Sequence, residues 1–131
     1  MLKTLTFFTE VPAKQKRSVV SELLDFPYLI KEARVRFYLN VRGNLRVKIL
    51  VSFDNVIPDN AEPAGFNVMK YGNVDYIIGD NETVPIYIAF PVKREGSYIK
   101  VFGYNLDSFP HKLDVKIDLD IPDERIMSGG L

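Results

Sequence analysis

The sequence predicts an all-β fold: an antiparallel β-sandwich of about eight strands, with jelly-roll or immunoglobulin-like topology and at most one short helix. Three observations carry that expectation. Apolar residues alternate with polar ones over several long runs, the signature of strands with one buried face. Stretches rich in Asp, Asn, Pro and Gly, such as "FDNVIPDNAEPAG" and "IIGDNE", separate those runs. Helical spacing is confined to one short segment.

Taken in order, "LTFFTEV" sets Leu5 and Phe7 on one side and Phe8 on the other, so one of the two phenylalanines faces outward. In "SVVSELLD", Val19, Val20, Leu23 and Leu24 follow helical spacing behind a capping Ser18, with Pro27 as a stop. A run that short reads equally as a helix or a bent strand. "RVRFYLNV" places Val35, Phe37, Leu39 and Val41 on one face, and "LRVKILVSF" does the same with Leu45, Val47, Ile49, Val51 and Phe53. A three-residue turn, Arg42, Gly43 and Asn44, pairs these runs as a hairpin with Val41 opposite Leu45, and puts Asn44 at the left-handed position. "TVPIYIAF" contributes Val84, Ile86, Ile88 and Phe90. "KLDVKIDLDI" is the cleanest alternation, with Leu113, Val115, Ile117, Leu119 and Ile121 facing in. Strand order does not follow from periodicity alone.

At 131 residues and 47% hydrophobic content, the chain is expected to form one domain over 1–131 with a real core. Seventeen basic and seventeen acidic residues cancel, so neither nucleic acid nor an anionic membrane is expected as a partner. Without cysteine, disulfides and thiolate metal sites are ruled out. No run approaches the roughly 18 apolar residues of a membrane span, and no secretory leader is evident, so a soluble, unprocessed chain is expected.

The sole histidine, His111, lies in "GYNLDSFPHKLDVKIDLD" with Asn105 and Asp107 nearby. Pairing Val101 with Val115 would set Asn105 opposite His111 across a hairpin. There the two form a structural lock, since a half-buried imidazole needs a hydrogen-bond partner. Its rival is a catalytic or metal-binding histidine oriented by Asp107; no catalytic set accompanies it, and no enzyme activity is expected. No cofactor or metal is expected, although carboxylates and amides cluster as Asp54, Asn55, Asp59 and Asn60, as Asp80, Asn81 and Glu82, and as Asp118, Asp120, Asp123 and Glu124. The basic run "KQKR", Lys14 to Arg17, reads as a solvated turn. Tyr98, Phe102 and Tyr104 share the outward parity. Either another segment covers them, or they form a contact patch, or they stack on a sugar. Contact candidates are Phe7, Phe8, Tyr98, Phe102, Tyr104 and the tail from Ile126 to Leu131.

The segments "FPYLIKEARVRFYLNVRGNLRVKILV", "GDNETVPIYIAF" and "SYIKVFGYNLDSFPHKLDVKID", with an Asn-x-Asp-x-x-x-His corner, resemble small β-sandwich proteins of bacteriophage and archaeal-virus particles. Such proteins decorate capsids, form spikes or serve as jelly-roll shell subunits. That resemblance implies a non-catalytic virion structural protein, oligomeric, whose partners are itself or other capsid proteins. The alternative is a carbohydrate-binding sandwich module, assisted by calcium.

Overall fold

The computed structural model describes residues 1–69 and 75–122. It contains β1 (Leu2–Val11), β2 (Lys16–Val20), β3 (Tyr28–Phe37), β4 (Leu45–Ser52), β5 (Phe66–Asn67), β6 (Glu82–Val92), β7 (Tyr98–Asn105) and β8 (His111–Asp120). They form two four-stranded antiparallel sheets, β1-β8-β3-β6 and β2-β7-β4-β5. The all-β sandwich read from the sequence is thus observed, with no helix among the described residues. "SVVSELLD" supplies the end of β2 and a bridge from Leu24 to Ser97. Tertiary pairing with β7 overrides its helical spacing.

The pairing is nested. β1 lies beside β8, β2 beside β7, β3 beside β6 and β4 beside β5, so the chain resembles one long hairpin folded across both sheets. This order corrects two hairpins expected from the sequence. β3 and β4 fall in opposite sheets, so Val35 and Phe37 do not share a ladder with Val51 and Ile49. Likewise β7 and β8 are in opposite sheets: Asn105 pairs with Leu45, and His111 with Val11. The apolar parity that suggested those hairpins is satisfied instead by side chains meeting across the gap of roughly 10 Å between packed sheets.

In the turn itself, Arg42 and Gly43 adopt positive φ, at 52° and 73°, with Asn40 at 75°; the left-handed position is not Asn44. Leu39 and Phe53, both expected to face inward, fall beyond the ends of β3 and β4 and are exposed.

The central core comprises the inward stripes, including Phe7, Val35, Phe37, Leu45, Ile49, Val101, Leu113 and Ile117. Burial on this scale is the main stabilising term at about 25 cal/mol per Å² of apolar surface. At Gly103 the stripe lacks a side chain, and an added Cβ would lie 3.2 Å from a Leu113 methyl and 3.3 Å from Val11.

The two outer faces differ. On the β1-β8-β3-β6 sheet, Asp118 accepts from Nη1 and Nη2 of Arg34, the shorter bond 2.6 Å, and from Thr4 Oγ1 at 2.7 Å. Tyr38 donates its hydroxyl to Asp114 at 2.6 Å. The part of that face over β8 is therefore polar and charge-paired. On the other sheet the segment 53–65 folds over the outside. Beneath it, Leu50 and Phe102 are buried outside the central core, and Lys100 is fully buried. Lys100 Nζ donates to Asp54 Oδ1 at 2.7 Å and to the Ala64 carbonyl at 3.0 Å, while Lys48 pairs with Glu62 at 2.6 Å. Of the outward aromatics, Phe102 is thus buried within the chain, while Tyr98 and Tyr104 are half-buried.

Lys100 is buried while its partner Asp54 reaches water, so the two truncations should differ. Asp54→Ala strands a buried ammonium, whereas Lys100→Met leaves a carboxylate that solvent can hydrate. We expect Lys100→Met to lower stability by about 1 kcal/mol and Asp54→Ala to lower it more, as read from urea midpoints. The reverse order would show that the pair does not hold the segment down.

Candidate functional site

One end of the sandwich gathers the loops 12–15, 38–44 and 106–110 and the segment 75–81. Backbone hydrogen bonds lace them together. Lys14 N–H donates to Asp107 O at 3.1 Å, Leu106 N–H to Asn44 O at 2.8 Å, and Gly43 N–H to Gly79 O at 3.1 Å.

Asn105 holds the centre of this end. It occupies the inward parity of β7 after Val101 and Gly103, and it is fully buried. A polar side chain there requires partners, and the loops supply them. Its Nδ2 donates to Phe109 O at 2.7 Å, Val11 O at 3.1 Å and Pro12 O at 3.3 Å, two protons serving three carbonyls. Its Oδ1 accepts the Asp107 N–H at 2.9 Å, closing an Asx turn.

Asp107 continues the chain of contacts. Its Oδ1 accepts the Ser108 N–H at 2.7 Å and its Oδ2 lies 2.9 Å from His111 Nε2. An ionised carboxylate only accepts, so Nε2 carries the proton. The His111 contact, then the Ser108 amide, with Lys14 adding positive charge, hold the Asp107 carboxyl below the usual carboxylate range. Asn105 and His111, expected as a direct pair, are thus two separate locks joined through Asp107. The Asn-x-Asp-x-x-x-His spacing carried that signal; its partner assignment was two residues off, Asp107 standing where Asn105 was expected.

Between loops 38–44 and 106–110 lies a cavity of about 540 Å³, walled by Leu39, Asn40, Arg42, Asn44, Asp107, Phe109, Pro110 and His111. It combines a guanidinium, two carboxamides and a carboxylate–imidazole pair with apolar surface. Such a set recognises ligands through hydrogen bonds, and its lining holds no serine, threonine or cysteine. Sequence reasoning treated Arg42 as a turn residue and passed over Asn40. No local pattern distinguishes a turn arginine from one that walls a cavity.

Other expected positions are distributed elsewhere. Phe7 is buried in the core; Phe8 is on the outer face of edge strand β1 and is 54% exposed. Ile126 and Leu131 lie outside the described residues, as do Asp123 and Glu124. The carboxylates and amides considered for calcium are largely engaged. Asp54 pairs with Lys100, Asn60 accepts the Lys16 N–H, Asp80 accepts the Arg42 N–H, and Asp118 pairs with Arg34. Among the described residues, no group of three or more His, Asp or Glu is arranged to hold a metal ion.

Removing Asn105 leaves several buried carbonyls without a donor, whereas removing His111 leaves Asp107 near water. We expect Asn105→Ala to cost on the order of 3 kcal/mol and His111→Ala about 1 kcal/mol, measured by thermal or urea unfolding. A larger loss for His111→Ala would contradict the central place of Asn105.

Asp107 and Asp118 both have carboxyls held low, Asp118 by the Arg34 and then the Thr4 hydrogen bond. The unfolded chain therefore takes up their protons at higher pH than the native state does. Their contribution is complete above the ordinary aspartate value of about 4 and is lost as pH falls through the lower native values. The urea midpoint should drop below about pH 4, and Asp118→Asn should make that drop shallower.

Comparison by sequence adds no identity: no protein-family model matches the chain, and no curated protein matches it.

Proposed function

We propose that this protein is a non-catalytic structural subunit of a virus particle, of capsid-decoration, minor-capsid or spike type, acting through protein contacts. The nested strand order supports this reading. We take it as a jelly roll, because an immunoglobulin-like sandwich pairs several consecutive strands within a sheet, and here β4 and β5 alone do so. Eight-stranded jelly rolls serve as capsid and lectin domains. That much is analogy of fold.

The observation that carries the proposal is the edge formed by β1. The other edge of the same sheet, β6, contains Pro85 and Pro91 and a positive φ of 51° at Ala89, devices that blunt strand addition. On the second sheet, the edges β2 and β5 are five and two residues long. By contrast, β1 runs ten residues without proline, glycine or a register shift against β8. Leu2 and Phe8 are exposed along it, at 61% and 54%. Edges of this kind invite another strand, and assembly subunits use them for β-augmentation. Of the contact candidates that lie among the described residues, Phe8 is the one on this edge with an exposed side chain.

Light scattering after size exclusion tests self-association. We expect the protein to associate with increasing concentration, and Phe8→Lys to shift it toward monomer without lowering its melting temperature. A strict monomer that is also absent from purified particles would overturn the proposal.

A further inference from the structure

We infer that the cavity between the β3–β4 and β7–β8 loops is a binding site for a saccharide bearing a carboxylate group. This goes beyond the assembly role and does not depend on it.

The first support is a contrast between cavities. One of about 230 Å³ lies over Phe102 and Tyr104 on the covered sheet. Its charged groups are engaged: Lys48 with Glu62, Lys16 over the Tyr104 ring at 4.9 Å, and Arg46 over the Tyr76 ring at 4.6 Å. In the cavity of about 540 Å³, Asn40, Arg42 and Asn44 have no side-chain hydrogen bond or ion pair among the described residues. Both the volume and the mixture of apolar wall with a few polar groups suit a small-molecule ligand.

The second support is how Arg42 is held. Asparagine tolerates the left-handed backbone region, whereas arginine rarely enters it, yet Asn40 and Arg42 both do so here. The Arg42 N–H donates to Asp80 Oδ1 at 3.1 Å and the adjacent Gly43 N–H donates to Gly79 O at 3.1 Å. The turn is fixed by the neighbouring segment, and Arg42 lines the cavity. Unusual backbone maintained by specific bonds and adjoining a cavity points to a site.

The chemistry selects the ligand. A sugar hydroxyl both donates and accepts, and each asparagine carboxamide does the same. Phe109, 69% exposed, presents a ring face for the apolar side of a pyranose. Asp107 is committed to His111 and the Ser108 amide, so the uncommitted charge is that of Arg42. A planar guanidinium pairs best with a carboxylate, through two parallel hydrogen bonds.

Titration of the isotopically labelled full chain by amide NMR, with glucuronate, glucose, acetate and phosphate as probes, tests this. We expect saturable shifts with glucuronate confined to 39–44 and 106–111, weaker shifts with glucose, and none at matched concentrations of acetate or phosphate. Arg42→Gln should reduce glucuronate affinity by about tenfold and leave glucose binding unchanged, while Phe109→Ala weakens both. Each variant alters an exposed side chain, so melting temperatures should match the parent and separate lost binding from lost folding. Absence of saturable sugar shifts, equal shifts with acetate or phosphate, or an Arg42→Gln variant with undiminished affinity would overturn the inference.

Discussion

The structure depends on one constraint: every strand must turn its apolar stripe into the single gap between the two sheets, and the chain meets it by pairing its ends first to last. β1 lies against β8 from Leu2 with Asp120 to Val11 with His111. β2 to β7 and β3 to β6 then fall inside that outer pair. Almost every connection must therefore cross from one sheet to the other. A crossing chain leaves the ladder, and its backbone groups need other partners. Asn105 supplies them at one end, serving carbonyls of both adjoining loops from a buried position. At the opposite end, Tyr28 and Ser97 share a buried hydroxyl contact of 2.6 Å, and Leu24 exchanges backbone bonds with Ser97.

The same constraint explains why the outer faces diverge. Once the inward stripes are satisfied, each outward face is free to follow its own composition. The β8 face, alternating Lys and Asp, pairs its charges with Arg34 and with polar groups of β1 and stays in contact with water. Such pairs add little stability individually, and they keep the surface over β8 polar. The β7 face carries Lys100 between Tyr98 and Phe102, too apolar to remain open. Segment 53–65 closes over it, and a buried ammonium becomes the anchor.

Two surfaces remain with capacity beyond folding, and they lie in different places. Among the described residues, the β1 edge offers unpaired backbone and two exposed apolar side chains, a geometry for another strand. The loop end offers a cavity with a guanidinium that no side chain engages among the described residues, a geometry for a small polar ligand. Rigidity favours both: β1 is fixed by ten register partners on β8, and the loops around the cavity are cross-linked by backbone bonds.

The sequence by itself determined which residues face inward within the strands, though not where the strands end, as Leu39 and Phe53 show. Val35, Ile49, Ile86 and Ile117 were assigned correctly because a two-residue period is a local property of the extended backbone. It likewise marked Asn105, Asp107 and His111 as one polar corner, since a loop of only five residues keeps them close. Only the tertiary structure decided which strand sits beside which. Parity is satisfied equally by two residues sharing a ladder and by two facing each other across the core, so Val35 and Val51 looked like neighbours in one sheet when they belong to opposite ones. The fate of Phe102 and Lys100 was settled in the same way, by a distant segment folding over them. Arg42 gained its place beside a cavity from Asp80 and Gly79, partners brought to it by the fold and invisible along the chain.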